Sequence, residues 1–177
     1  MEWARLVAQR LLDRVKMQVA PDGTLVFQYD AAHDVVVARA RWTLEVPTDV
    51  VSWHERYISF FRGRFSSPKD LVMLNEEFDI STKVSMIWGL YRAKLFEQMI
   101  RYSVGVKSNP RVRLSTNTSG TRYGVSTLEA SDQADAVRVI QGLRDRDLTE
   151  RTKSEGRKSS TDLLKRPDPG DRSGGKR

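Results

Sequence analysis

The run Asn75-Glu76-Glu77-Phe78-Asp79-Ile80-Ser81-Thr82 gathers three carboxylates and two hydroxyls within eight positions. Carboxylates at this spacing could share acid–base work, but no nucleophile or oxyanion motif accompanies them. Ser81 and Thr82 offer a different chemistry. A phosphate on either would add a charge of about −1.5 to −2 and would be favoured by the free N–H groups and dipole of a helix that begins there. The simpler role for Asp79 or Ser81 is to cap that helix, a contribution of about 1 kcal/mol.

Other chemistries lack their residues. There is no cysteine, so thiol catalysis and disulfides are excluded and a reducing cytoplasm is the natural compartment. His33 and His54 are the two histidines, and neither has an acidic neighbour at metal-ligand spacing. His54 falls on an apolar helical face, as a hydrogen-bonded core residue would, and His33 falls in a turn. The eleven glycines are scattered and form no dinucleotide-binding or phosphate-loop pattern. The expectation is therefore a non-catalytic protein without cofactor or metal.

Charge has to be located before it is interpreted. The chain of 177 residues carries a net +7, but residues 150–177 account for +4 of it and the rest for only +3. A nearly balanced body argues against a basic nucleic-acid-binding fold. Hydrophobic residues make up 39 % and charged residues 30 %. No apolar run approaches the roughly 18 residues of a membrane span. Charges interleaved through the first residues also depart from the pattern of a secretory signal.

The elements that must position the polar run follow from periodicity. Trp3, Leu6, Val7, Leu11, Leu12 and Val15 recur at helical spacing, predicting an amphipathic helix over residues 1–20. Leu25–Tyr29 and Val35–Leu44 read as an antiparallel hairpin around Asp30–Asp34. Pro47 and Thr48 open a helix, Pro47 through its fixed φ and Thr48 as a cap, with Val50, His54, Tyr57, Ile58, Phe61 and Phe65 facing inward. Leu71–Leu74 is a short, wholly apolar core strand.

After the polar loop, a long helix places Val84, Ile87, Leu90, Tyr91, Leu95, Met99 and Ile100 inward and Lys83, Arg92, Glu97 and Gln98 toward water, ending before Val104. Arg111–Ser115 alternates and reads as a strand, Asn117–Gly124 as a loop or frayed helix, and Val125–Ala130 as a last strand. Ser131 and Asp132 cap a final helix with an inner stripe of Ala134, Val137, Ile140 and Leu143 and with Arg138 and Arg144 outside. The domain spans 21–146. Residues 147–177, poor in aromatics and rich in Lys, Arg, Ser, Gly and Pro, form a disordered basic tail. The class is α/β: a mixed sheet opened by an antiparallel hairpin and packed with helices.

In this order of elements, residues 25–143 resemble the STAS-like group, the fold of the sporulation anti-sigma-factor antagonists. The resemblance rests on the hairpin, the following helix, the strand Leu71–Leu74, the Asp-containing loop into a helix, and the closing Val125–Leu143 unit. In the antagonists that loop reads Asp-Ser-Ser-Gly, and its first serine is phosphorylated. Here Asp79 and Ser81 agree, Ile80 stands at the phosphoacceptor and Thr82 at the glycine. The resemblance implies a bacterial regulatory and signalling module that binds a protein partner through Asp79, Ser81 and Thr82; it does not carry over the standard phospho-switch.

Two other roles have some support in the residues. The aromatic helix Trp53–Phe65 could line a pocket for a small molecule or lipid, although the same rings are needed to cover the sheet. The amino-terminal helix could lie on an anionic membrane surface, or pack on the sheet or on a second copy of the chain. Arg92, Arg101, Lys107, Arg111, Arg113 and Arg122 would form a cationic patch for an acidic partner if the fold brought them together. A solvated, partly ion-paired surface is the simpler expectation.

Overall fold

The computed structural model describes residues 23–163, with side chains as far as Glu150 and at Thr152. The expected helix over 1–20 lies outside the described residues. Two compact units divide the chain, Met1–Ile140 and Gln141–Arg177.

In the first unit, β1 (Thr24–Asp30) and β2 (Val35–Leu44) form the expected antiparallel hairpin, turning through Asp34 at a φ of 53°. Then follow α1 (Pro47–Phe61), β3 (Lys69–Ile80), α2 (Ser85–Gln98), β4 (Ile100–Val106), α3 (Pro110–Tyr123), β5 (Leu128–Ala130) and the start of α4 (Gln133–Leu163). The sheet order is β1-β2-β3-β4-β5, with every pair after the hairpin parallel. The expected mixed α/β architecture is what the chain adopts.

Strand alternation divides the core in two. Val36, Ala38, Leu71 and Met73 point to the face covered by Trp53 and Tyr57 of α1, Trp88 and Leu95 of α2, and Val112 of α3. Val35, Val37, Val72, Val104 and Val106 point the other way, against Ala136 and Ile140 of α4. Each fully buried apolar side chain contributes about 1.5–3 kcal/mol, so these two layers hold the sheet between its helices. At the amino ends of the parallel strands, the buried Asp70 accepts two hydrogen bonds from Arg101, at 2.8 and 2.6 Å.

Several expectations about these elements need correction. The core strand does not stop at Leu74. It runs through the polar residues to Ile80, because a register shift sets Arg39 opposite Leu74 but Arg41 opposite Glu77, one residue against two. Such a bulge reverses the alternation, so Phe78 and Ile80 enter the same core as Leu71 and Met73, and Glu76 and Glu77 reach water. The second correction is β4, a strand that the expected order lacks and that begins at Ile100, which the helical period gives to the preceding helix; Met99 and Ile100 fit either period.

The third is Arg111–Ser115, which is helical. Asn109 caps α3 by accepting a hydrogen bond from Val112 N at 2.9 Å, and Pro110 occupies the first turn. The residues expected to be a loop or frayed helix, 117–124, continue this helix to Tyr123 and end it at Gly124, whose φ is 68°. The fourth is α1, which Asp49 caps in place of Thr48: its carboxylate accepts from the backbone N–H groups of Glu45 and Val46 at 2.8 and 3.0 Å.

Asp132 caps α4 as expected, accepting from Asp135 N at 2.8 Å, but Ala134 is exposed and Ala136 takes its place in the core with Ile140. From Gln141 onward the helix belongs to the second unit. Its Gln141 donates to Asp145 at 3.2 Å and its Thr149 hydroxyl to the Asp145 carbonyl at 2.8 Å. The boundary expected at residue 147 falls inside this helix, whose polar residues form local bonds of this kind; 164–177 lie outside the described residues. Among the described residues no helix is long and apolar enough to cross a membrane.

Candidate functional site

The carboxyl ends of parallel strands carry the connections in which open α/β sheets build their sites. Here that edge is made by the end of β3, the turn Ser81–Val84, the start of α2, and the link Lys107–Asn109 into α3. The carboxylates of the polar run do not converge there. Glu76 pairs with Lys107 at 3.1 Å, Glu77 with Arg41 at 2.9 Å and Asp79 with Arg111 at 3.1 Å. Three carboxylates held by three different cations form no acid–base pair.

Asp79 acts on α3, not on α2. Its Oδ1 accepts from Ile80 N at 2.8 Å and from Asn109 Nδ2 at 3.2 Å, and Asn109 Nδ2 also reaches the Phe78 carbonyl at 3.0 Å. Because Asn109 caps α3 and Arg111 lies in its first turn, Asp79 fixes where that helix starts. Nor does Ser81 cap α2. The helix begins at Ser85 behind Val84, and the Ser81 hydroxyl instead accepts from Lys83 N at 3.4 Å. Ser81 is half-buried, Thr82 is exposed, and the Ser85 hydroxyl donates to the Thr82 carbonyl at 3.2 Å. Ile80 is 0 % exposed, so no modification at that position could reach a partner without unfolding the strand.

Past the turn, α2 presents Met86 at 59 % exposure and, one turn later, Leu90 at 43 %, while α3 presents Leu114 at 67 %. Thr82, Ser85, Met86, Arg111, Leu114 and Arg122 all line one groove of about 140 Å³. Sequence reasoning misses these apolar positions: the helical period turns Leu90 inward, and the alternation of Arg111–Ser115 puts Leu114 on a strand. The signal was there in Asn109-Pro110, a capping residue followed by a proline suited to a first turn.

Behind the groove lies the largest departure from expectation. Arg92, expected to face water, is 2 % exposed. One terminal nitrogen donates to Ser119 Oγ at 3.1 Å and to the Val125 carbonyl at 3.2 Å, the other to Thr127 Oγ1, which in turn bonds Ser103 Oγ. Its Nε has no partner among the described residues, and the guanidinium lies 5.0 Å from the Phe96 ring centre and 5.6 Å from that of Trp88. No carboxylate faces it among the described residues, and burial pulls its pKa down to about 10 against the opposing influence of Tyr57. It remains charged at neutral pH and ties α2 to α3 and to the segment entering β5.

The remaining candidates are dispersed. Arg101 is engaged by Asp70 at the opposite edge of the sheet, so the six cations named from sequence do not gather into one patch. His33 pairs with Asp30 in the hairpin turn at 2.8 Å, and His54 packs its ring 4.9 Å from that of Tyr91. Among the described residues no cluster of three or more His, Asp or Glu is placed to hold a metal ion. Trp53, Tyr57 and Phe61 of the aromatic helix are buried on the sheet.

No protein-family model matches the chain, and no curated protein does. Among solved structures, an anti-sigma factor antagonist from Mycobacterium paratuberculosis is similar at 14 % identity, covering 70 % of this chain and 99 % of its own, with a TM-score of 0.51. An uncharacterized protein of the DUF3478 family with a SpoIIAA-like fold, from Shewanella loihica, is similar at 11 % identity, covering 68 % of this chain and 95 % of its own, with a TM-score of 0.48. The fold is STAS-like. The loop Asp79–Thr82 that the sequence resemblance singled out runs from the last residues of β3 into the turn before α2.

Proposed function

We propose that this chain is a non-catalytic regulatory module that binds another protein through the Ser81–Val84 turn and the first half of α2. The observation that carries this reading is the continuous exposure of Thr82, Met86 and Leu90 at the carboxyl end of the parallel strands. Exposed large apolar side chains beside a polar turn suit a contact surface. The dispersal of the nearby carboxylates onto separate cations supports binding over catalysis. So does the shared fold with an anti-sigma factor antagonist, a protein whose name describes a regulatory role.

Asp79 serves this surface indirectly, by setting α3 beside it, whereas Thr82 belongs to the surface itself. A phosphate on Thr82 would stand beside Lys83 and Ser85 at the start of α2, where its charge would change what the turn can meet. Affinity purification of the full chain from its native cells, followed by mass spectrometry, tests the reading. A partner retained by the wild type and lost by a combined Thr82→Lys, Met86→Ser, Leu90→Ser variant is the expected result. An unchanged set of partners, with the variant folded by circular dichroism, would overturn it.

A further inference from the structure

The groove between α2 and α3 has a composition that narrows the kind of partner it fits. At about 140 Å³ it is well below the roughly 300–1,000 Å³ of a small-molecule pocket and has room for one or two apolar side chains. Its floor and walls include Met86, Leu114 and Tyr123. Arg111 and Arg122 lie on the same side of α3, about three turns and roughly 16 Å apart along its axis. The centre is apolar, one end carries Arg122 and the other the Arg111–Asp79 pair.

The charge around it is one-sided. Helix α3 contains Arg111, Arg113 and Arg122 and no acidic residue. Arg111 is neutralised by Asp79, but among the described residues Lys83, Arg113 and Arg122 form no ion pair, and Arg122 lies only over the ring of Tyr123, at 5.8 Å. The walls are two helices whose backbone groups are already bonded, so an added β-strand would find no free edge. Exposed side chains at four-residue spacing, Met86 and Leu90 on one helix and Leu114, Thr118 and Arg122 on the other, instead suit ridge-to-groove packing of a third helix.

We infer that the α2–α3 groove receives an amphipathic helix of the partner, with apolar anchors seated between Met86 and Leu114 and acidic residues at the end that meets Arg122. This rests on the protein-binding reading above and names the chemistry of the partner. The close approach of Gly89 to Ser119 keeps the two walls together: a Cβ at Gly89 would stand 2.7 Å from Ser119 Cβ. The groove is therefore formed before a partner arrives, which limits the ordering cost of binding.

The test is a displayed library of helical peptides of about 16 residues, enough to span Arg111 to Arg122, with Glu, Lys, Gln and Leu varied at all outward positions. It is selected on the full chain and, separately, on the Leu114→Ser and Arg122→Glu variants, whose exposed positions leave the fold intact. Expected are enriched peptides with apolar residues at three- and four-residue spacing and Glu toward the end that meets Arg122. Each variant should weaken them by about tenfold, as loss of a central anchor or a facing charge does, and Arg122→Glu should gain affinity for peptides with Lys at one end.

Neutral or basic winners, equal binding to both variants, or no enrichment at all would overturn the inference. So would a wild-type dimer that Leu114→Ser converts to monomer, or flotation with phosphatidylserine vesicles that depends on Leu114 and Arg122. Failure here alongside a native partner that is still lost on mutating Thr82, Met86 and Leu90 would remove the acidic helix and leave the binding module. Success here with native partners indifferent to that variant would keep the groove and remove the turn.

Discussion

Helices α1 and α3 contribute to the same face of the sheet and bury opposite materials. From α1 come Trp53, Tyr57 and Phe61, with ring centres of Trp53 and Tyr57 4.7 Å apart and Tyr57 meeting Phe27 of β1 edge-on at 4.8 Å. From α3 come Val112, Ser115, Thr116 and Ser119, the last bonded to the buried Arg92. Aromatic burial is strong and tolerant of direction, whereas hydroxyls and a guanidinium add little net energy and demand particular geometry. The first layer holds the fold together. The second sets how closely α2 and α3 approach, and so shapes the surface they present.

If that division is right, the largest loss should come from the aromatic side. Trp53→Ala is expected to cost about 3–5 kcal/mol in denaturant unfolding, the range for removing a large buried ring, with the far-ultraviolet signature of the remaining fold preserved below the transition. A loss under 1 kcal/mol would mean that α1 is not the principal cover of the sheet.

Arg92 comes next, and two substitutions separate its roles. Arg92→Ala removes packing and hydrogen bonds together and should cost about 2–4 kcal/mol. Arg92→Met keeps much of the volume and removes a charge that has no counter-ion, so it should cost less, as replacing buried charges by apolar residues commonly does. Equal losses for the two would show that the bonds to Ser119, Val125 and Thr127 dominate over packing. The Met variant should also loosen α2 against α3, read as faster amide exchange in both helices and unchanged exchange in α1.

This contrast explains which parts of the fold were legible in the sequence. The hairpin and α1 could be read because their buried residues are apolar and periodic. Helix α3 could not, because three of its four buried residues are Ser or Thr, which carry no hydrophobic period, while Arg111-Val112-Arg113-Leu114 imitates a strand. The pattern turns Arg92 toward water for the same reason: a charged residue is rarely buried unless paired, and its neutral partners lie 27 to 35 positions away.

At the candidate site, the polar run looked like a loop since nothing local marks a bulge that turns Glu76 and Glu77 outward while returning Phe78 and Ile80 to the core. Thr82 could be assigned to the surface from sequence. The place of Asp79 beneath α3 could not, since it depends on Asn109 and Arg111.

A smaller effect tests the close approach itself. Gly89→Ala would gain up to about 1 kcal/mol from helix propensity, but its Cβ would crowd Ser119 Cβ at 2.7 Å and Tyr123 at 3.3 Å. Overpacking of this kind costs about 1–3 kcal/mol, so a net loss near 1 kcal/mol is expected. Ser119→Gly by itself loses the bond to Arg92, so the recovery is read from a double-mutant cycle: Gly89→Ala with Ser119→Gly should cost less than the sum of the two single changes, because the second removes the atom in the way. No recovery would mean that the crowding is relieved by movement of α3 as a whole.

The smallest effect lies where the two layers meet. His54 of α1 packs against Tyr91 of α2, and its buried Nε2 has no hydrogen-bond partner among the described residues. Burial first, and then the charge of Lys94, hold its pKa below the ordinary 6.5. Above 6.5 the ring is neutral in both the folded and unfolded chain, and this contribution to stability is fully present. As the pH falls below 6.5 the unfolded chain takes up the proton first, so stability declines until the folded pKa is reached. Asp30 and Asp132, both held below 3.8, act in a separate and more acidic window. Thermal unfolding between pH 7 and 5 should therefore show a decline in the wild type that His54→Leu flattens. A His54→Leu profile parallel to the wild type would remove His54 as the source and place the acid sensitivity of this boundary elsewhere.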